Sequence, residues 1–167
     1  MKARFVQTYT SSMLGREVVE RGTLALKPPG RMRWTYEHPE KKLFVSNGKS
    51  SYFYVPEDKQ VITFDATGDR GVAVQLLSGR SDLMTEFQVF AVPGAPHQVR
   101  LVPKAPDAEM REAIVEAEPS GRIRRLELLD LQGNRSEYRF ENVQENVGVP
   151  DKTFEFEIPK GVEVVTG

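Results

Sequence analysis

Large apolar and polar side chains change places at every second residue through much of this chain, and that period belongs to β-strands with one apolar face. Leu24 and Leu26 alternate with Thr23, Ala25 and Lys27, and Met32, Trp34 and Tyr36 alternate with Arg31, Arg33 and Thr35. Near the end, Phe154, Phe156 and Ile158 alternate with Glu155 and Glu157. Each set puts its bulky groups on one side of a pleated strand and its charges on the other. Turn signals separate the runs: Pro28-Pro29-Gly30, His38-Pro39, Asn47-Gly48, Pro56-Glu57-Asp58, Glu118-Pro119-Ser120-Gly121 and Gln132-Gly133-Asn134. Asn-Gly supplies the positive φ angles of a tight hairpin, so Ser46 to Lys49 is read as one. Strands joined this way pair with their sequence neighbours, which predicts an antiparallel meander.

One region departs from the alternation. Between Gly71 and Met84, Val72, Leu76 and Leu77 fit a helix of about two turns, with Ser78-Gly79 as its stop. Pro103 to Met110 is expected to add a shorter helical turn. No internal repeat or low-complexity stretch breaks the chain, so residues 1–167 are expected to form a single domain.

Charge and chemistry narrow the function. The 23 Lys and Arg nearly balance the 24 Asp and Glu, with no basic run, so the chain offers no field for a phosphate backbone, and nucleic acid is not an expected partner. No stretch approaches the roughly 18 consecutive apolar residues of a membrane span. Met1 to Tyr9 lacks a leader's apolar core and reads like the middle of a strand, so a leader is expected to have been removed. Cysteine is absent, which removes thiol nucleophiles, disulfides, thiolate metal sites and an N-terminal lipid anchor on this chain.

The two histidines, His38 and His97, sit beside prolines in expected surface turns, and no serine stands in a G-x-S-x-G elbow. Asp65-Ala66-Thr67-Gly68-Asp69 resembles the start of a calcium loop, but its twelfth position is Leu76 where a glutamate is needed. There is no phosphate-binding glycine loop. No catalytic residue, cofactor or metal is expected, and the chain is read as a non-enzyme.

The strand faces are unusually aromatic: Trp34, Tyr36, Phe44, Tyr52, Tyr54, Phe87, Tyr138, Phe140, Phe154 and Phe156. Such rings fill an ordinary sandwich core or line a hollow inside a curved sheet, and periodicity does not separate the two. The order of motifs adds information. Gly22-Thr23-Leu24-Ala25-Leu26-Lys27-Pro28-Pro29-Gly30-Arg31-Met32-Arg33-Trp34 resembles the G-x-L-x-h-x-x-P-x-x-h-x-W run of the LolA family of periplasmic lipoprotein carriers. Val45-Ser46-Asn47-Gly48-Lys49, Tyr52-Phe53-Tyr54 and Gln60-Val61 are similar to its next strands. Leu101-Val102-Pro103-Lys104, Asp130-Leu131-Gln132-Gly133-Asn134 with Phe140 and Asn146, and the closing Phe154-Glu155-Phe156-Glu157-Ile158-Pro159-Lys160-Gly161-Val162 follow in the family's order. The resemblance spans almost the whole chain.

It implies a mainly β fold, a strongly curved antiparallel sheet forming an incomplete barrel, with short lid helices around an apolar cavity. By position, the acyl-chain cavity would be lined by Leu24, Leu26, Met32, Trp34, Tyr36, Tyr52, Tyr54, Tyr138 and Phe140, and the lid would include Val72, Leu76 and Leu77. Implied partners are lipoprotein acyl chains, an inner-membrane lipoprotein-releasing ABC transporter and an outer-membrane receptor, with the carrier a periplasmic monomer.

Two departures stand out. Pro28 occupies the place where many members have an arginine thought to hold the lid, and proline has no N–H to donate. The family's opening helix is not found before the first strand. Alternatives from the same reading are a stress-regulator-like sensing module, the outer-membrane receptor itself, and a plain β-sandwich interaction domain.

Overall fold

Prolines, glycines and asparagines at the expected turns cut the chain into strands. The structure, a computed structural model, describes residues 1–65, 76–77, 83–105 and 110–167. Its strands are β1 (Lys2–Thr10), β2 (Glu17–Lys27), β3 (Arg31–His38), β4 (Lys42–Asn47), β5 (Ser50–Val55) and β6 (Gln60–Asp65). After the four-residue helix Leu83–Glu86 come β7 (Phe87–Ala91), β8 (Gln98–Pro103), β9 (Glu112–Ala117), β10 (Ile123–Leu129) and β11 (Arg135–Gln144). A 3-10 turn at Asp151–Phe154 precedes β12 (Glu163–Thr166). The hydrogen-bonded order is β12-β6-β5-β4-β3-β2-β1-β11-β10-β9-β8-β7, so the sheet is unclosed. The mainly β, incomplete-barrel class expected from the sequence is the one observed. By contacts the chain divides into two units, Met1–Arg4 with Glu20–Arg80 and Asn142–Gly167, and Phe5–Val19 with Ser81–Glu141.

In the first unit, β2 to β6 form an antiparallel meander whose register sorts side chains into two faces. Residues directly opposite across a ladder share a face. One face carries the row Leu24, Trp34, Phe44, Phe53 and Ile62, and beside it the row Leu26, Met32, Ser46, Ser51 and Phe64. The other carries Ala25, Arg33, Val45, Tyr52 and Thr63, with Thr23, Thr35, Leu43, Tyr54 and Val61 beside them. The hairpin expected at Asn47-Gly48 forms one residue later: Ser46 faces Ser51, so the two-residue loop is Gly48-Lys49, with Gly48 at φ +93° and Asn47 Oδ1 accepting from the Lys49 and Ser50 N–H groups, both at 2.9 Å.

The C-terminal segment packs on the second of these faces. Phe154 is buried in a cluster with Ala25 and Val149, the small alanine leaving room for the ring. Phe156 meets Tyr52 and Tyr54 with ring centres 5.4 and 5.7 Å away. Arg33 Nη1 donates to the carbonyls of Thr153 at 3.2 Å and Glu155 at 3.4 Å. Lys27 and Arg31 both reach Asp151 Oδ1, at 2.5 and 2.6 Å.

This corrects the expectation of a strand through Phe154, Phe156 and Ile158. The alternation there is one-sided packing: Phe154 ends the 3-10 turn, Glu155 to Pro159 lie in no strand, and the carbonyls of Thr153 and Glu155 accept from Arg33 rather than from a ladder. A second correction concerns the last strand: β12 runs parallel to β6, pairing Glu163 with Gln60 through Thr166 with Thr63, so the meander does not extend to the end.

The second unit shows the alternation in its cleanest form. On β7 to β11, Val89, Leu101, Ala113 and Leu128 share one face with Val99, Val115, Leu126 and Tyr138. The opposite face is mostly charged, with Ile114 and Phe90 set among the ions. Arg100 bonds Glu112 at 3.2 Å, Arg125 bonds Glu116, Glu127 and Glu137 at 3.3, 3.1 and 2.8 Å, and Arg139 bonds Glu137 at 2.6 Å. Singly such surface pairs contribute roughly 0–1 kcal/mol; sharing one arginine among three carboxylates fixes their geometry together. The helical turn expected at Pro103 to Met110 is not found at its start, since Pro103 ends β8; residues 106–109 lie outside the described residues.

Candidate functional site

The apolar face of β2 and β3 is the feature of the first unit most suited to hydrocarbon. Leu24, Leu26, Met32 and Trp34 are 2, 4, 0 and 4% exposed, so this layer is shut away from water. Burying each such side chain stabilises by about 1.5–3 kcal/mol. Across β4 to β6 the face continues through half-buried Phe44, Phe53, Ile62 and Phe64.

Two buried hydroxyls interrupt it. Ser46 donates to the Gly30 carbonyl at 3.0 Å, which satisfies its polar group inside an otherwise apolar row, and its cross-strand partner Ser51 is also buried. At the other end of the layer Tyr36 is paired with Lys42, whose ammonium bonds Glu20 at 2.6 Å. Burial opposes the charge on Lys42, but hydrogen bonds and attraction from Glu20 and Glu40 prevail and hold its pKa above the ordinary lysine value. The apolar surface thus ends at a fixed ion pair.

The register brings Leu24, Leu26, Met32, Trp34 and Tyr36 together on this face and separates the other expected residues from it. Tyr52 and Tyr54 point to the opposite face, against Phe156, so they do not share a layer with Met32 and Trp34. Phe53 takes the position expected of them. Tyr138 and Phe140 belong to the second unit, where Phe140 is buried and Tyr138 half-buried on that unit's own apolar face. Leu76 and Leu77 are helical, as their spacing predicts, and half-buried, while Val72 and the Ser78-Gly79 stop lie outside the described residues.

Sequence reasoning missed Phe53, Ile62 and Phe64 as members of the layer, although the signal was present. A two-residue hairpin loop fixes which residues of β5 share a face with Phe44, and parity selects Phe53 over its tyrosine neighbours.

Two cavities are present in the described residues. One, of about 440 Å³ in the first unit, is lined by Ala3, Leu24 and Ala25 together with Lys2, Arg4, Arg33, Asn142 and Gln144. The other, of about 340 Å³ in the second unit, is edged by Glu116, Arg124, Arg125, Arg139, Phe140 and Glu141. The charged walls of the second suit water and ions rather than a hydrocarbon tail, whereas the first mixes apolar and polar groups. His38 and His97 are exposed, and among the described residues no three His, Asp or Glu side chains converge as they would around a metal ion. Among those residues no helix is long and apolar enough to cross a membrane.

The chain is similar to known proteins over nearly its full length. It is 32% identical over 168 residues to the outer-membrane lipoprotein carrier protein of Dechloromonas aromatica, covering 99% of this chain and 80% of that one. It is 28% identical over 172 residues to the protein of the same name from Nitrosospira multiformis, covering 99% and 82%. Among solved structures, a LolA superfamily protein from Nitrosomonas europaea superposes with a TM-score of 0.52 at 12% identity, covering 93% of this chain and 89% of the other. A DUF1329 family protein from Desulfovibrio piger superposes with a TM-score of 0.53 at 12% identity, covering 92% and 88%; both likenesses concern the fold alone. Residues 1–157 match the family described as outer membrane lipoprotein carrier protein LolA. With a sealed apolar layer on β2 and β3, and its G-x-L to F-x-F motifs in order, this chain belongs to the LolA family of outer membrane lipoprotein carrier proteins.

Proposed function

We propose that the chain, acting as one carrier domain, holds lipoprotein acyl chains against the layer of Leu24, Leu26, Met32 and Trp34 while they cross the periplasm. The observation that carries this reading is the seclusion of that layer from water in a family of lipoprotein carriers. An acyl chain of about sixteen carbons costs on the order of 12 kcal/mol to expose, at about 0.8 kcal/mol per CH₂. A soluble protein offsets that cost only with apolar surface that water does not already occupy.

Because Met32 and Trp34 are covered, an acyl chain gains them only as whatever covers them moves aside, so admission is coupled to an opening step. The helical Leu76-Leu77 pair is assigned to that lid. Met32 is unbranched and Trp34 broad, so the layer adapts to chains of different length rather than demanding one fit. Cargo would be taken from an inner-membrane ABC transporter and passed to an outer-membrane receptor, by successive partition between apolar sites with no covalent step. A monomer suffices for this.

Trp34 is the only tryptophan in the chain, which supplies a direct test. Fatty acids brominated along the acyl chain quench indole emission on contact. Titration is expected to quench Trp34 in step with binding, and an unbrominated acid of equal length is expected to compete. Saturable binding that leaves Trp34 emission unchanged would place the acyl chain elsewhere.

A further inference from the structure

We propose that the tip of the β1–β2 hairpin, together with the β10–β11 turn, is a docking point for anionic phospholipid surfaces. The tip, Ser11 to Arg16, is closed by Ser11 N–H to the Arg16 carbonyl at 2.9 Å and Gly15 N–H to the Ser11 carbonyl at 2.9 Å. Gly15 takes φ +58°, a left-handed conformation that suits glycine. The second turn is fastened by Asp130, whose two carboxylate oxygens accept from Asn134 N–H at 2.8 Å and Asn134 Nδ2 at 2.7 Å. The two are then tied to each other. Asn134 Oδ1 accepts from Ser12 N–H at 3.0 Å, and Ser12 Oγ donates to the Gln132 carbonyl at 2.8 Å.

This hydrogen-bonded platform presents apolar side chains to water. Met13 is 90% exposed, Leu14 66% and Leu131 55%, each within two residues of a bond that joins the turns. Scattered apolar residues on a surface are ordinary, but three on two fastened turns form a patch. Its composition favours a lipid surface over a protein. It has aliphatic and thioether groups but none of the Trp, Tyr or Arg anchors buried at the centre of a protein interface. Exposed Arg16 stands at its base, where it would meet headgroup phosphates, and beside it Arg135, which is exposed and paired with Glu127 at 3.3 Å. Of the nearby acids, Asp130 is engaged by Asn134 and Glu17 lies beyond the tip on β2. The proposal does not depend on the carrier reading, since the tip lies in the second unit and the acyl layer in the first.

The test is co-flotation with vesicles of phosphatidylglycerol and phosphatidylcholine, against vesicles of phosphatidylcholine alone. The parent protein is expected to float with the anionic vesicles and to be released by salt. The double variant Met13→Ser/Leu14→Ser is expected to bind at least tenfold more weakly, with Leu131→Ser and Arg16→Gln intermediate. An unchanged thermal midpoint and unchanged quenching of Trp34 by brominated acid show that each variant is folded and keeps its acyl site. Failure of the parent to float, or flotation of the double variant equal to the parent's, overturns the proposal. So does self-association of the parent that the double variant abolishes, which would assign the patch to a second copy.

Discussion

Replacing Phe154 by alanine separates the two faces of β2 experimentally. Phe154 is 1% exposed and packs with Ala25 and Val149 on the face opposite Leu24 and Met32. Truncating a buried phenylalanine costs about 3–5 kcal/mol, the lost transfer energy plus that of the space left behind. A chain of this length has a stability of roughly 8–25 kcal/mol, so the variant remains folded at room temperature. At about 2–4 °C per kcal/mol, the thermal midpoint falls by about 6–20 °C.

The companion is Met32→Ala, at a residue with 0% exposure on the other face, where the loss is about 2–5 kcal/mol. The two variants therefore match in stability and differ in position. Urea unfolding gives the free energies, and titration with a brominated fatty acid gives acyl affinity. Phe154→Ala is expected to keep that affinity within about twofold, whereas Met32→Ala lowers it by about tenfold, the loss of one to two methylene-sized contacts. Equal effects on affinity would refute the assignment of cargo to one face. A loss below about 1 kcal/mol for Phe154→Ala would refute the packing of the C-terminal segment.

Further predictions concern charge. Asp151 is held below the ordinary carboxylate range by its hydrogen bond to Lys27, with Arg31 adding to the effect against a small opposing desolvation. A depressed native pKa contributes stability that is present above the unfolded value of about 4 and lost as pH falls through the native one, so Asp151→Asn should flatten acid unfolding in that window, measured by midpoint against pH. In the second unit, burial alone would raise Glu137, but bonds from Arg139 and Arg125 outweigh it and its pKa is lowered. Arg125→Met leaves Glu116, Glu127 and Glu137 together without their shared cation; a loss of about 2–3 kcal/mol at neutral pH is expected, shrinking as pH falls toward about 4 and the carboxylates protonate. A deficit independent of pH would show that the ladder acts through packing alone.

Much of this was legible before any coordinate. Alternation found the apolar rows of β2 and β3 and the turns between them, because a strand with one dry face must show period two. Three things were hidden, each for a definite reason. The side on which Tyr52 and Tyr54 fall depends on hairpin parity, which composition does not reveal but loop length does. The run Phe154 to Ile158 has the period of a strand, yet alternation records one-sided burial and not a ladder partner. The pairing of β12 with β6 joins residues separated by a hundred positions, and no local pattern encodes it. The motif order indicated the family, while the division of rings between faces needed the register.

The parallel β12 has a consequence for solubility. Glu163 N–H donates to the Lys59 carbonyl at 2.8 Å and Gly167 N–H to the Thr63 carbonyl at 3.0 Å, so the last residues occupy backbone groups along β6 that would otherwise recruit a strand from another molecule. Open sheet margins are templates for aggregation. β12 then forms the margin itself, and at four residues with Glu163 at its start it offers a shorter template than β6 would: a selvedge, which narrows the border open to a neighbour.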